Sequence, residues 1–513
     1  MSFAPITLFV YNRPTHTKRT LDALALNLEA PESELYIFCD GPKPNDNIEN
    51  LKKISEVVGL AKKENRFKKV YVQISKKNKG LAESIIYGVT TIVEKYGRVI
   101  VLEDDIETSK GFLKYMNDAL SLYENNDEVM HISGYMYPHK EVLQETFFFN
   151  VPLCWGWATW KKSWKYFNNN PIQLWNELKQ KNLLSDLDKF GGNYLSSQLA
   201  YNITGKLDTW FIKWHASVLL QNGFTLFPKT SLVQNFGFDN TGVHNGVHTE
   251  FHNSVLAEKI AVNSIAFFED MKVETVIKDF YKVLNHRYEK KTLKKNIKDK
   301  IRNLVFLMFP DLKRVLKYNQ KNNHVESYFG NNIKIYPASR ISNTIIGNYT
   351  YISENSVINN TIIGKFCSIG ANFMAGRGIH PTNGISTHPM FYSKNKQNGI
   401  TLTLKNKTNE FMPITIGSDV FIGMNVTVLD GITIGDGAII GAGAVVSKNI
   451  PAYAIAVGNP IKVINYRFED EIISKLLKTQ WWNLKHEDLT LVEKYFFNIE
   501  EFIKIFEEKI EEQ

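Results

Sequence analysis

The chain has 513 residues, of which 43% are hydrophobic and 22% charged, a balance that excludes a disordered or fibrous chain and leaves room for about two to four domains. A net charge of +8 over this length is too diffuse to mark a nucleic-acid binder. Three scattered cysteines, Cys39, Cys154 and Cys367, point to a reducing compartment without a disulfide framework or zinc cluster. The N-terminus has no basic stretch and apolar core of a signal peptide, and no apolar run approaches the roughly 20 residues of a membrane helix, so a cytoplasmic protein is expected.

In chain order, apolar strand-like runs come first, at Ile6–Tyr11, Leu35–Cys39, Val70–Ile74 and Val99–Leu102. Helical stretches near Thr17–Leu28, Ile48–Lys62 and Leu81–Tyr96 alternate with them. That alternation predicts a parallel sheet covered by helices over residues 1–270. A basic helical connector follows, 271–330, with Tyr281–Asn319 at its centre. It is read as a linker whose apolar side packs on a domain, with a surface helix touching anionic lipid as the sharper alternative.

From 331 to 467 a strict period takes over. Ile416, Ile422, Val428, Ile434, Ile440 and Val446 fall six residues apart, and Gly417, Gly423, Gly435 and Gly441 follow four of them. An earlier block runs through Ile346, Ile352, Ile358, Ile363 and Ile369, with one short step. Six residues make one flat side of a three-sided coil, the aliphatic pointing inward and the small residue after it expected at the tight corner. A strand sandwich would alternate with a period of two instead. Residues 371–413 break the pattern and carry two His-Pro pairs, as a functional loop does. Residues 468–513 have helical spacing and the Trp481-Trp482 pair, and are expected to cover the end of the stack.

Two segments carry chemistry. In the first, Val99–Leu102 runs into Glu103-Asp104-Asp105. Three acids at a strand end repel one another unless a positive group sits there, and a hard divalent cation bridging to a diphosphate meets that need. In the second, Gly376-Arg-Gly-Ile-His380-Pro lies in the interrupted coil, where a neutral imidazole can take a proton from an attacking hydroxyl. His388, in the second His-Pro pair, reads better as a loop-closing residue, kept as an acceptor contact.

The stretches Pro5–Arg13, Phe38-Cys-Asp40-Gly41, Val101–Ile106, Cys154-Trp-Gly-Trp-Ala-Thr-Trp160 and Asn235–His244 resemble GT-A glycosyltransferases of the type related to N-acetylglucosaminyltransferase I and its bacterial relatives. The resemblance implies a Rossmann-like GT-A domain over 5–250, a UDP-linked nucleotide-sugar donor, and Mn2+ or Mg2+ held by Asp105. It puts Asp40 at the nucleobase, Arg13, Gly80 and Asp104 around the nucleotide, and the catalytic base at Asp208. The eukaryotic motif has a second acid where this chain has Thr209. Seven of nine tryptophans lie between Trp155 and Trp214, with Trp157 a candidate acceptor contact beside its reading as core.

The coil and its His-Pro loop resemble hexapeptide acetyltransferases of the xenobiotic and sugar O-acetyltransferase branch. That resemblance implies a left-handed parallel β-helix, acetyl-CoA as co-substrate, His380 as general base and a homotrimer with CoA between subunits. It assigns Lys448 to CoA phosphates, Ala442 and Ser447 to the pantetheine arm, and Pro460 to the closing CoA-binding segment. Phe421 replaces a tryptophan common in the branch.

Together the two modules predict a bifunctional enzyme of bacterial surface polysaccharide synthesis, adding a sugar to a lipid-linked glycan and acetylating a sugar hydroxyl. It would work in the cytoplasm, at the inner face of the plasma membrane if the connector binds lipid. Two alternatives stay open. One is a sugar-1-phosphate nucleotidyltransferase fused to an acetyltransferase, against which Tyr11-Asn-Arg-Pro-Thr15 lacks the glycine-rich loop. The other is a single active module with its neighbour a trimerisation scaffold.

Overall fold

The computed structural model describes residues 3–189, 194–239, 255–265, 272–279 and 323–511. The chain divides into two compact units, the first drawn from 1–196 and 209–293, the second from 197–208 and 294–512. The expected connector segment Tyr281–Asn319 lies outside the described residues.

In the first unit, β1 (Ile6–Val10), α1 (Pro14–Ala25), β2 (Glu34–Cys39), α2 (Ile48–Lys63), β3 (Lys69–Ile74), α3 (Leu81–Tyr96) and β4 (Arg98–Glu103) follow the predicted alternation closely. Local chemistry sets the helix ends. Pro14 opens α1 where its missing amide costs nothing, the Asn47 side chain accepts the Asn50 amide ahead of α2, and Gly97 closes α3 in the left-handed conformation. Strands β1 to β4 are parallel neighbours. Beyond them come β5 (Ile106–Thr108), β6 (Val129–Ser133), β7 (Thr146–Phe149), β8 (Trp157–Trp160), β9 (Phe224–Pro228) and β10 (Val233–Asn235). The main sheet runs β3-β2-β1-β4-β8-β6-β9-β7, and β10 pairs with β5 in a separate antiparallel ladder.

Strand β1 is buried along its whole length, as a central parallel strand must be. Its alternate residues serve opposite faces: Ile6, Leu8 and Val10 pack with Leu21 and Leu24, whereas Phe9 packs with Phe38, Ile85 and Val89. This packing fixes the carboxyl ends of β1, β2 and β4 side by side.

The second unit is a three-sided coil. Three parallel sheets of six, five and seven strands form its walls, with one antiparallel strand, Lys462–Tyr466, ending the largest. Ile346, Ile352, Ile358, Ile363, Ile369, Ile416, Ile422, Ile434 and Ile440 are all 0% exposed, so the six-residue aliphatic is the inward residue. The stack continues across the insertion: Thr361–Ile363 pairs with Ile414–Ile416, and Met374–Ala375 with Thr427–Val428. The coil therefore persists through Ala375, and the insertion leaves at Gly376 rather than at 371.

The glycine that follows the inward residue does not sit at the left-handed corner. Positive φ falls two residues later, at Asp419, Asn425, Gly437 and Gly443. The expected corner role is thus corrected. What requires glycine is the close stacking of coils: a Cβ at Gly417 would lie 2.6 Å from the Asp436 amide nitrogen, and one at Gly435 2.4 Å from that of Ala452. Past the coils, helices Asp470–Thr479 and Ile499–Glu511 gather Ile473, Leu476, Phe502 and Ile503 around the buried Tyr453. Trp481 packs instead on Phe366, ring centroids 5.1 Å apart.

Among the described residues no helix is long and apolar enough to cross a membrane.

Candidate functional sites

In the first unit the loop after β1 carries Arg13 to the acids after β4. Its guanidinium bonds to Asp104 and, at 3.0 Å, to Asp105. Burial works against the guanidinium charge, but the two carboxylates outweigh it and hold the pKa above its ordinary value. Burial raises the Asp104 carboxyl to about 6, with Arg13 opposing. Glu103 is pushed up to about 8 by burial first and by Asp105 and Asp104 second. The positive group that the acid triplet demands is therefore supplied by the chain itself.

Asp105 is also walled in. The Phe236 amide donates to its carbonyl at 3.0 Å, and a Cβ on Gly237 would lie 2.2 Å from its carboxylate. So the Asn235-Phe-Gly stretch meets the acid motif. His16 stacks on Phe236 with centroids 5.1 Å apart and reaches Asp239 at 3.2 Å. Sequence reasoning missed His16; a histidine two residues into a helix carries no local signal.

Among the described residues no group of three or more His, Cys, Asp or Glu is placed to hold a metal ion. The Asp105 carboxylate is instead paired with Arg13.

Asp40 corrects an expectation. Its Oδ1 accepts the amides of Gly41 and Lys79 at 2.8 Å, and its Oδ2 accepts Asn78 Nδ2 at 2.9 Å and the Gly80 amide at 3.0 Å. A carboxylate has about four acceptor sites, and all are taken, leaving none for a nucleobase. Asp40 braces the loop ahead of α3, where Gly80 takes φ 85° as the residue before the first turn. Trp157 is 0% exposed, stacked between His131 and Trp210 at 5.1 Å each, so it is core and presents no surface to an acceptor. Asp208 is exposed just ahead of the helix Trp210–Leu220 and falls in the segment grouped with the second unit, not with the sheet that carries the acids.

In the second unit, His380 is exposed on the insertion. Its Nδ1 lies 2.9 Å from the Thr387 carbonyl oxygen and 2.8 Å from the Tyr392 hydroxyl. A carbonyl can only accept, so Nδ1 carries the proton and Nε2 keeps the lone pair. His388, by contrast, accepts the Met390 amide at 3.3 Å and starts the short helix Pro389–Phe391, the loop-closing role.

The insertion is tied at its root. Asp430 accepts the Gly378 amide at 2.9 Å and the Met412 amide at 3.1 Å, and the Ile379 amide donates to the Glu410 carbonyl at 2.8 Å. Beside this root lies a cleft of about 480 Å³ lined by Asn395, Asn406, Lys407, Asn409, Glu410 and Phe411. Tyr392, Thr387 and Asp430 were not legible as site residues; their roles come from loop closure. Ala442, Ser447, Lys448 and Pro460 are all exposed on the coils after the insertion.

Residues 413–448 match the family model described as bacterial transferase hexapeptide (six repeats). The chain is 34% identical over 124 residues to a chloramphenicol acetyltransferase of Agrobacterium fabrum, covering 23% of this chain and 57% of the relative. It is 42% identical over 120 residues to a probable macrolide acetyltransferase of Lysinibacillus sphaericus, covering 23% and 66%. The chain thus spans little more than half the length of the curated relatives it matches. Among solved structures, a maltose O-acetyltransferase of Clostridium difficile shares 27% identity over 31% of this chain and 76% of its own, with a TM-score of 0.21. The second unit of this chain is a hexapeptide-repeat β-coil similar to those of acetyltransferases.

Proposed function

We propose that the second unit transfers an acetyl group from acetyl-CoA to a sugar hydroxyl, with His380 as general base. The observation that carries this reading is the pinned imidazole, its Nδ1 proton held by Thr387 and its Nε2 left basic. The acceptor hydroxyl gives its proton to Nε2 as its oxygen attacks the thioester carbonyl. Collapse of the tetrahedral intermediate breaks the C–S bond, and the imidazolium returns the proton to the departing thiolate. The products are an O-acetyl ester and CoA. Lys448 is read as the contact for CoA phosphates, with Ala442 and Ser447 along the pantetheine arm and Pro460 in the closing CoA-binding segment. The named activities of the curated relatives, all acetyl transfer, support the reaction class.

The polar cleft favours a polyhydroxyl acceptor over an apolar one, because Asn395, Asn406 and Asn409 line it with amides, beside Phe411. A homotrimer accounts for the apolar side chains the coil turns outward: Met374 is 41% exposed, Phe421 47%, Met424 51% and Leu429 45%.

For the first unit we read glycosyl transfer from a UDP-linked sugar to a lipid-linked glycan of a bacterial surface polysaccharide, at the cytoplasmic face of the membrane. The placement of Arg13, Asp104 and Asp105 at the carboxyl ends of parallel strands supports it, since ligands bind there in such sheets. Mn2+ or Mg2+ at Asp105 would neutralise charge on the leaving diphosphate. Arg13 orients the Asp105 carboxylate.

The test is separate inactivation. With acetyl-CoA and maltose, N-acetylglucosamine or chloramphenicol, His380→Ala should abolish CoA release by at least 100-fold. With UDP-sugars, Asp105→Ala should abolish UDP release while acetyl transfer persists. Retained CoA release in the His380 variant would sink the first reading; retained UDP release in the Asp105 variant would sink the second.

A further inference from the structure

Asp430 is a coil residue that meets both ends of the insertion's root; the coil also contributes Asn359, whose Nδ2 donates to the Gly376 carbonyl at 3.4 Å. Asp430 follows Leu429 in the repeat, half-buried, at the corner before Gly431. One carboxylate oxygen takes the Gly378 amide, on the segment leaving the coil, and the other takes the Met412 amide, on the segment returning to it. Gly378 is two residues before His380 and holds φ 92°. One further bond, Ile379 amide to Glu410 carbonyl at 2.8 Å, joins the two segments just above.

Among the described residues, both hydrogen bonds of the His380 ring, to Thr387 and Tyr392, are internal to the insertion. Those bonds fix which nitrogen is protonated. They do not fix where the ring stands relative to the coils, because they move with the loop. The position of the ring is set at the root, where a carboxylate anchored on the coil holds both ends. Each charge-assisted bond from a backbone amide is roughly twice as strong as a neutral one.

We infer that Asp430 is a positioning residue for His380: its carboxylate clamps the two ends of the insertion to the coil and so registers the catalytic imidazole. The inference rests on the acetyl-transfer reading. Asparagine cannot substitute, since its amide nitrogen would turn a donor toward a backbone N–H. A misplacement of about 1 Å costs on the order of 100-fold in rate.

The experiment follows CoA thiol release from acetyl-CoA with maltose as acceptor, in the full chain, for Asp430→Asn, Asp430→Ala, His380→Ala and the Asp430→Asn/His380→Ala pair. Calorimetry measures CoA binding and a thermal melt confirms folding. The expected result is a kcat at least 10-fold lower in Asp430→Asn, unchanged CoA affinity, and no further loss when Asp430→Asn is added to His380→Ala. A native kcat in Asp430→Asn overturns the inference. So does a fall in CoA affinity or an equal loss in both backgrounds, which would make Asp430 a general support of the coil. If His380→Ala itself keeps native turnover, acetyl transfer through His380 fails and this inference falls with it. Should Asp430→Ala not fold, the near-isosteric Asp430→Asn carries the test alone.

Discussion

Nδ1 of His380 lies 2.9 Å from the carbonyl oxygen of Thr387, in the same loop. A backbone carbonyl cannot be protonated or turned away without moving the chain, so it holds one tautomer more firmly than a hydroxyl does. The Tyr392 hydroxyl, 2.8 Å from the same nitrogen, is therefore the secondary partner.

Tyr392→Phe should lower kcat for acetyl transfer by less than about 10-fold, because the carbonyl bond survives; one neutral hydrogen bond contributes about 1 kcal/mol. His380→Gln should lose essentially all turnover, since a carboxamide cannot accept a proton near neutral pH. Initial rates of CoA release for the two variants check the contrast. Equal losses would mean that Tyr392 acts on the reacting groups directly.

Arg13 stands between two carboxylates, with its side chain 19% exposed against 7% for Asp104 and 14% for Asp105. Removing one partner of a buried ion pair leaves an uncompensated charge. Arg13→Met should destabilise the first unit by about 3 kcal/mol or more, and Asp104→Asn should recover part of that loss in the double variant. Urea unfolding followed by tryptophan fluorescence measures both. An additive double variant would show that the pair is not coupled.

How much of this was readable beforehand follows from range. The β1 to β4 alternation and the inward Ile416 to Val446 series are local periodicities; the strands and the inward residues appear within a residue or so of where the sequence puts them, and only α1 is shifted, by three residues. The acids after β4 and His380 were legible for the same reason: each lies in a motif of a few residues. The errors fall where partners are distant in sequence. Nothing near Asp40 announces that residues 78–80 will use all its acceptor sites. Nothing near Trp157 announces that His131 and Trp210 will cover both faces. The coil glycines show a subtler failure: their spacing was right, but the constraint comes from the next coil, not from their own turn.

That constraint separates two kinds of glycine. Gly443 holds φ 73° with open space where a Cβ would be, whereas Gly435 has ordinary φ and a backbone nitrogen 2.4 Å from that position. Gly443→Ala should cost about 1 kcal/mol, the left-handed penalty. Gly435→Ala forces two coils apart and should cost about 3 kcal/mol. Thermal melts of the two variants decide it; the reverse order would mean that the corner, not the stacking, selects glycine.

The last prediction concerns acid. His131 is fully buried: Trp214 Nε1–H donates to its Nδ1 at 3.1 Å, so Nε2–H donates to the Leu153 carbonyl at 2.8 Å. With both nitrogens committed in the neutral form, burial pushes its pKa down to about 3, and that of the buried His215 down to about 4. Both folded values lie below the ordinary 6.5, so the unfolded chain binds protons that the folded unit refuses. Their contribution to stability is intact above pH ~6.5 and is lost as pH falls toward the folded values, by up to about 1.4 kcal/mol per pH unit for each histidine. The unfolding midpoint of the first unit should therefore drop steeply between pH 6.5 and pH 4.5. His131→Gln lowers stability at pH 7 by disturbing the Trp214 and Leu153 bonds, yet should flatten the pH dependence by about one proton. Urea titrations at several pH values, read through the tryptophans of the first unit, test this; an unchanged slope in the variant would show that His131 takes no part in the acid transition.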